Sequence, residues 1–127
     1  MYLSPGDYHR FHSMTGFEVV RRKVIEGGLL GVNEKTIRTK PKVYEQNSRL
    51  ILHGKWKEGY LAMVLVGALN VGRIVVKDKV VFEKGEEIGY FNLGSTIVLL
   101  VESPKIDWKI KEKEKIKYNQ IIGMVEK

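Results

Sequence analysis

Two histidines three residues apart, beside an aspartate, are the first residues in this chain that could carry out chemistry. They lie in the run DYHRFH at residues 7–12. A histidine titrates near neutral pH and can act as a general base or as a metal ligand. If the segment is extended, residues three apart point to opposite faces, so His9 and His12 would not converge on one ion. Because the chain has no cysteine and only His53 remains as a further histidine, two separate roles are favoured over a shared metal site, and no metal is expected.

A serine that follows a glycine is the second candidate for chemistry. Gly94, Ser95 and Thr96 lie between two apolar runs. A glycine next to the serine removes side-chain obstruction and tolerates a distorted backbone. The structural alternative is a bulge between two strands. Taken alone, the motif leaves both interpretations open.

The elements that must position these groups are predicted to be β-strands. Apolar stretches are short, rich in Val and Ile and broken by glycine, a pattern typical of strands joined by turns. A short helix is predicted at 42–48, before a strand-like run at 49–53. The other predicted strands cover 61–68, 73–76, 80–83, 88–93 and 96–101, with turns at 78–79 and 84–85. The predicted fold class is mainly β, an antiparallel β-sandwich or barrel-like single domain with little helix.

Composition limits the classes of partner. A chain of 127 residues with 43% hydrophobic and 29% charged residues is typical of one folded domain, here residues 1–127. The net charge of +7 favours an anionic partner, which a phospholipid surface or a nucleic acid would both provide. Lysines alternate with isoleucine around two glutamates at 109–117, and aromatic residues make up 9% of the chain, so no nucleic-acid partner is expected. No apolar run approaches the roughly 20 residues that span a bilayer, so membrane contact is expected to be peripheral.

Taken together and in order, the motifs of this chain resemble those of one enzyme family. The run at 7–12 reads Asp-Tyr-His-Arg-x-His, and the serine lies in a Leu-Gly-Ser-Thr motif. The matching motifs between them are Leu29-x-x-Val32-Asn33, Asn47-x-Arg49 and Val66-Gly67-Ala68. Over nearly its whole length the chain resembles the phosphatidylserine decarboxylases, because five ordered matches are far more specific than any one of them.

The resemblance implies an enzyme that makes its own cofactor. It implies self-cleavage between Gly94 and Ser95, into a β chain of residues 1–94 and an α chain of 95–127, with a pyruvoyl group derived from Ser95. The implied reaction converts phosphatidylserine to phosphatidylethanolamine with loss of carbon dioxide. By resemblance, His12 takes the serine proton during cleavage, and His9 lies near the substrate and assists decarboxylation or protonates the carbanion. The residues that bind the substrate are not indicated.

The resemblance also raises expectations about partners. Family members carry, upstream of the histidines, an Asp-Gly pair whose aspartate orients the catalytic histidine, and the chain begins after that point. We therefore expect an upstream segment or a second chain to supply the aspartate. We also expect a homo-oligomer bound peripherally at the cytoplasmic face of the cell membrane. The alternative is an inactive fragment or pseudoenzyme, a β-module that keeps the fold and binds lipid or a partner chain. A small basic nucleic-acid-binding barrel is a third, weaker hypothesis.

Overall fold

The computed structural model describes residues 1–68, 74–92, 94–103 and 105–126. Within these ranges the chain forms short helices and mostly short strands. In chain order they are β1 (Tyr2–Leu3), β2 (Arg10–His12), β3 (Phe17–Ile25), α1 (Glu34–Thr39), α2 (Val43–Gln46), β4 (Arg49–Trp56), β5 (Gly59–Val66), β6 (Ile74–Val76), β7 (Val81–Phe82), β8 (Glu87–Phe91), β9 (Ser95–Val101), β10 (Ile106–Trp108) and β11 (Gly123–Val125).

The strands form a large sheet, a small sheet and a ribbon. The large sheet has the order β1-β9-β5-β4-β3-β7, the small sheet has the order β2-β8-β6, and β10 pairs with β11 in the C-terminal ribbon. Neighbouring strands in all three are antiparallel. The predicted fold class, mainly β with antiparallel sandwich or barrel-like character, is confirmed.

The hydrophobic core is built from both sheets. Along β5, Leu61, Met63 and Leu65 are buried while Tyr60 is exposed, because successive side chains of a strand point to opposite faces. The small sheet contributes Phe11, Ile88 and Phe91 to the same cluster. Full burial of such a side chain stabilises the fold by roughly 1.5–3 kcal/mol, so the core fixes the relative position of the two sheets.

Several element boundaries differ from those expected. The predicted strand at 61–68 begins at Gly59 and ends at Val66, and the predicted helix at 42–48 shrinks to α2. Six elements were not predicted. Four are the short strands β1, β2, β10 and β11. The other two are β3, whose second half is charged and exposed, and α1, whose N-cap is Asn33 and which buries no residue. Both lack the apolar pattern on which the prediction depended. Residues 73 and 93, at the ends of two predicted strands, lie outside the described residues.

Both helices are short. α1 has six residues and α2 has four, and no helix in the described part of the chain is long and apolar enough to cross a membrane.

Candidate active site at the crossing between the two sheets

Ser95 is the first residue of β9, at the point where the chain passes from one sheet to the other. β8, in the small sheet, ends at Phe91, and β9, in the large sheet, begins at Ser95, so the chain crosses from one sheet to the other between these two residues. The Ser95 side chain is fully buried (0% exposed), and its Oγ has no hydrogen-bond partner within the described residues. A buried hydroxyl without a partner is costly and uncommon in folded proteins. Together with the neighbouring Thr96, which has the same feature, Ser95 is a candidate for a role other than stability.

Gly94 packs against the N-terminal segment. A Cβ atom at this position would lie 3.3 Å from the Leu3 carbonyl oxygen and 3.4 Å from Cδ of Pro5. The first distance is tighter than most Cβ contacts and the second is an ordinary van der Waals contact, so a side chain at Gly94 would require Leu3 to shift by a few tenths of an ångström. Leu3 pairs directly with Ser95 in the large sheet. The backbone on both sides of the Gly94–Ser95 bond is therefore held by residues 3–5.

The N-terminal segment follows the crossing from one sheet to the other. β1 pairs with β9 in the large sheet, and β2 pairs with β8 in the small sheet. Between these two pairings, the backbone N–H of Phe91 donates to the carbonyl of His9 at 2.9 Å. Residues 2–3 thus pair with residues 95–96, and residues 9–12 lie beside residues 87–91, on either side of the crossing.

Asp7 stabilises a turn at residues 4–7, between β1 and β2. The backbone N–H of Asp7 donates to the carbonyl of Ser4 at 2.9 Å. The Asp7 carboxylate accepts from the Ser4 hydroxyl at 2.8 Å and from the Ser4 backbone N–H at 2.9 Å. The hydrogen bond from the Ser4 side chain, then that from its backbone, lower the pKa of Asp7, with a smaller contribution from Lys115. Asp7 is therefore ionised at neutral pH and serves the turn.

His9 lies on the Ser95 side of β2 with one ring nitrogen free. Its Nδ1 is hydrogen-bonded to the backbone carbonyl of Asp7. Because a carbonyl can only accept, Nδ1 carries the proton and the neutral ring has its lone pair on Nε2. This Nε2 is buried and has no partner in the described part of the chain. His9 therefore presents an unused base or ligand atom beside the crossing.

His12 lies further along β2, and both of its ring nitrogens are engaged. It is paired with Glu87, past a register shift that follows Phe11. Nδ1 donates to the carbonyl of Gly85 at 3.0 Å, and Nε2 lies 2.7 Å from the Tyr8 hydroxyl. Tyr118, from the segment between β10 and β11, packs on the imidazole with ring centroids 4.3 Å apart. His12 is thus held in one orientation by a carbonyl and two tyrosines.

The structure assembles the predicted residues only in part. Gly94 and Ser95 lie at the crossing, and the carbonyl of His9 accepts from Phe91 at the end of β8, whereas His12 makes no hydrogen bond to Ser95. In the described ranges neither histidine ring is hydrogen-bonded to a carboxylate, and no group of three potential metal ligands is found there. The roles of Ser95, His12 and His9 remain predictions.

Asn47 is a functional residue whose role sequence reasoning missed. It is fully buried, and its side chain accepts from the Leu30 N–H at 3.0 Å. Its amide donates to the carbonyls of Leu30 and Gly67 at 2.7 and 2.8 Å. Gly67 follows Val66, which pairs with Thr96 of β9, so Asn47 ties down the strand end beside Ser95. The Asn47-x-Arg49 motif was the available signal, but only the structure shows what the amide binds.

Comparisons with known proteins show which family the chain is similar to. The family model of phosphatidylserine decarboxylase matches residues 1–124. The mitochondrial phosphatidylserine decarboxylase proenzyme of Cricetulus griseus is 35% identical over 97% of this chain and 37% of its own length. The phosphatidylserine decarboxylase proenzyme of Legionella pneumophila (strain Corby) is 38% identical over 85% of this chain and 46% of its own. The chain thus spans less than half the length of these relatives. No solved structure matches.

The fold and the comparisons define a mainly β domain of a decarboxylase family whose members are made as proenzymes. The chain belongs to the phosphatidylserine decarboxylase family, as its motifs predicted.

Proposed function

We propose that this chain is the catalytic part of a phosphatidylserine decarboxylase precursor that cuts itself between Gly94 and Ser95 and then converts phosphatidylserine to phosphatidylethanolamine. One observation carries the proposal. In a family whose relatives are called proenzymes, Ser95 lies fully buried with an unpartnered hydroxyl beside a glycine, at the crossing between the sheets.

Self-cleavage requires only atoms of this chain, a base and water. The Ser95 Oγ attacks the Gly94 carbonyl carbon, the Gly94–Ser95 C–N bond breaks, and an ester joins the two residues. Loss of the Ser95 Cα proton then breaks the Cβ–O bond and releases Gly94 as a carboxylate. The dehydroalanine left at position 95 adds water and loses ammonia, which leaves a pyruvoyl group. Because the Ser95 Oγ makes no hydrogen bond within the described residues, it can attack and leave without breaking one.

The residues at the crossing fit a pyruvoyl group. It would be held covalently at the start of β9, where Leu3 pairs with residue 95 and Gly94 offers no side chain to obstruct it. The ketone supplies an acceptor for the substrate amine and for the electron pair released when carbon dioxide departs. In this proposal His12 accepts the Ser95 proton during cleavage. His9, with its free Nε2 beside the crossing, assists the lipid reaction by holding or returning a proton.

The charge of the chain supports an anionic lipid as substrate. The net charge is +7, and each Lys or Arg near an anionic membrane surface contributes about 1 kcal/mol of attraction. We propose peripheral binding at the cytoplasmic face of the cell membrane, with the headgroup of phosphatidylserine reaching the crossing.

A second candidate function is favoured by one observation. Neither histidine ring meets a carboxylate in the described part of the chain, and a histidine base without an orienting carboxylate loses orders of magnitude in rate in serine-triad enzymes. A catalytically silent β-module that binds lipid or a partner chain would show the same arrangement.

A lipid assay separates the two functions. The chain, with and without the upstream segment of a family member, is incubated with vesicles of phosphatidylserine and phosphatidylcholine, and carbon dioxide and phosphatidylethanolamine are measured. The proposal expects product in the cleaved sample and its loss after borohydride treatment with substrate present, since borohydride blocks the carbonyl. Vesicles of phosphatidylglycerol and phosphatidylcholine are the charge-matched control. Vesicle binding without product in every sample would establish the silent module instead, and activity that survives borohydride would contradict a pyruvoyl group.

A further inference from the structure

The Tyr8 hydroxyl is hydrogen-bonded to Nε2 of His12, the ring nitrogen that could accept a proton. The distance from Tyr8 Oη to His12 Nε2 is 2.7 Å. The two rings are stacked, with centroids 5.8 Å apart and an angle of 16° between planes. This contact lies on the half-exposed side of the small sheet, whereas the Ser95 hydroxyl is buried and unpartnered.

The direction of this hydrogen bond follows from the other ring nitrogen. His12 Nδ1 is bonded to the Gly85 carbonyl, which can only accept, so the neutral ring carries its proton on Nδ1 and its lone pair on Nε2. The Tyr8 hydroxyl must therefore donate to that lone pair. Partial burial of the phenol, then the nearby Tyr118 and Glu87, raise the pKa of Tyr8, so it remains a protonated donor at neutral pH.

A segment far along the chain holds Tyr8 in this position. The Tyr118 ring lies 5.4 Å from the Tyr8 ring and 4.3 Å from that of His12, measured between centroids. In the same segment, the Lys115 ammonium lies 3.4 Å from the Asp7 carboxylate. Residues 115–118, which follow the proposed cleavage bond in the chain, thus pack against residues 7–12, which precede it.

We propose that Tyr8 is a positioning residue that caps the Nε2 lone pair of His12 in the uncut chain, so that His12 can accept a proton only after the Tyr8 hydroxyl has moved away. The cap is defined by Tyr8, His12 and Tyr118. Its effect on cleavage rests on the proposed role of His12 as the base. The cap also explains why the proposed nucleophile, Ser95, is buried without a hydrogen-bond partner while the proposed base, His12, is hydrogen-bonded to other groups.

The first arm of the test measures the lone pair directly and does not depend on cleavage. The full chain carrying Ser95→Ala is treated with diethylpyrocarbonate, which modifies unprotonated imidazole nitrogens, and the modification rate at each histidine is followed by peptide mass spectrometry. Adding Tyr8→Phe keeps the ring and its stacking but removes the hydroxyl. We expect the rate at His12 to rise about fivefold to tenfold, the factor that corresponds to losing one net hydrogen bond.

A matched control is available on the large sheet. Tyr60 stacks on His53 with centroids 5.6 Å apart and an angle of 17°, and the Tyr60 hydroxyl makes no hydrogen bond among the described residues. Tyr60→Phe should leave the modification rate of His53 unchanged. An unchanged rate at His12 in the Tyr8→Phe chain would overturn the cap.

The second arm uses the chain with Ser95 intact, with the same upstream family segment present in every sample. Tyr8→Phe should accelerate cleavage by about the same fivefold to tenfold, and Tyr60→Phe should not. Slower cleavage in Tyr8→Phe would overturn the cap, because the hydroxyl would then be assisting the base. Faster modification of His12 with no change in cleavage would uphold the cap and count against His12 as the base, which separates the two claims.

Discussion

The two sheets hold their reactive side chains in opposite ways. In the large sheet, at the start of β9, Ser95 and Thr96 are buried and neither hydroxyl has a hydrogen-bond partner in the described part of the chain. On the small sheet, His12 is half-exposed and both of its ring nitrogens are bonded. The proposed nucleophile is thus buried with an unpartnered hydroxyl, and the proposed base has both ring nitrogens hydrogen-bonded to other groups.

If the chain cleaves itself as proposed, the difference indicates which sheet would move. The Ser95 end is fixed by pairing with Leu3 and by the buried amide of Asn47 near the adjacent strand. His12 is held by surface contacts with tyrosines, each worth about 1 kcal/mol. A rearrangement that joins base and nucleophile therefore costs less on the small sheet than on the large one.

The largest expected effect comes from substituting the two histidines one at a time. His12→Ala should slow cleavage by about a thousandfold or more, since loss of a base from a nucleophile–base pair has effects of that size. His9→Ala should permit cleavage and impair decarboxylation, because its free Nε2 lies beside the crossing. Cleavage is followed by intact mass over time with the upstream segment present, and His53→Ala is the control. An identical cleavage defect in His9→Ala and His12→Ala would refute the division of roles.

The small sheet itself can be broken at Gly89. A Cβ atom there would lie 2.0 Å from the Val75 carbonyl oxygen and 2.9 Å from the Phe11 ring, because β8 runs closely between its two neighbours. Gly89→Ala should lower the free energy of unfolding by about 3 kcal/mol, measured by denaturant unfolding. Gly16→Ala is the control, since a Cβ at Gly16 meets nothing within 4 Å. Equal stability of the two variants would show that β2 and β8 are not packed as described.

The end of the large sheet can be loosened at Asn47. Asn47→Ala removes three buried hydrogen bonds and leaves backbone groups of Leu30 and Gly67 unpaired, so a loss of about 2–3 kcal/mol in unfolding free energy is expected. The control is Asn33→Ala, which removes the exposed N-cap of α1 and should cost about 1 kcal/mol. If Asn47→Ala lowers the free energy of unfolding by no more than Asn33→Ala does, the Asn47 amide does not anchor the end of β5.

A smaller, pH-dependent effect on stability is expected at the turn between Ser4 and Asp7. Hydrogen bonds from Ser4 depress the pKa of Asp7 below its ordinary value of 3.8. A carboxyl with a depressed folded-state pKa stabilises the fold fully above its unfolded pKa and loses that contribution as pH falls through the folded value. Wild type should thus be more stable than Asp7→Asn above about pH 4, and the difference should shrink below that pH. A difference that stays constant down to pH 2 would contradict the ionised turn.

Much of the fold could be predicted because it depends on local pattern. The short apolar runs around 61–66 and 96–101, broken by glycine on one side, became β5 and β9. The division into two sheets could not be predicted in this way, since it depends on which strands pair. The charged half of β3 stayed hidden because its residues pack on no core and leave no apolar period.

The candidate site was predictable in its residue types but not in its contacts. Gly94, Ser95 and the histidines are visible as a motif. The partners of His12 come from positions 8, 85 and 118, and its place opposite Glu87 depends on a register shift that no local pattern announces. Long-range partners of this kind are set by the packed fold.

The most direct test of self-cleavage is the intact mass of the chain under denaturing conditions, with and without the upstream segment of a family member. The account predicts slow or no cleavage of the chain alone, because neither histidine ring meets a carboxylate in the described residues. With the segment present, it predicts pieces of residues 1–94 and 95–127, the smaller with 127 − 94 = 33 residues and no free amino terminus. Ser95→Ala should remain whole in both samples. Cleavage that persists in Ser95→Ala, or that maps to another bond, would contradict the central claim.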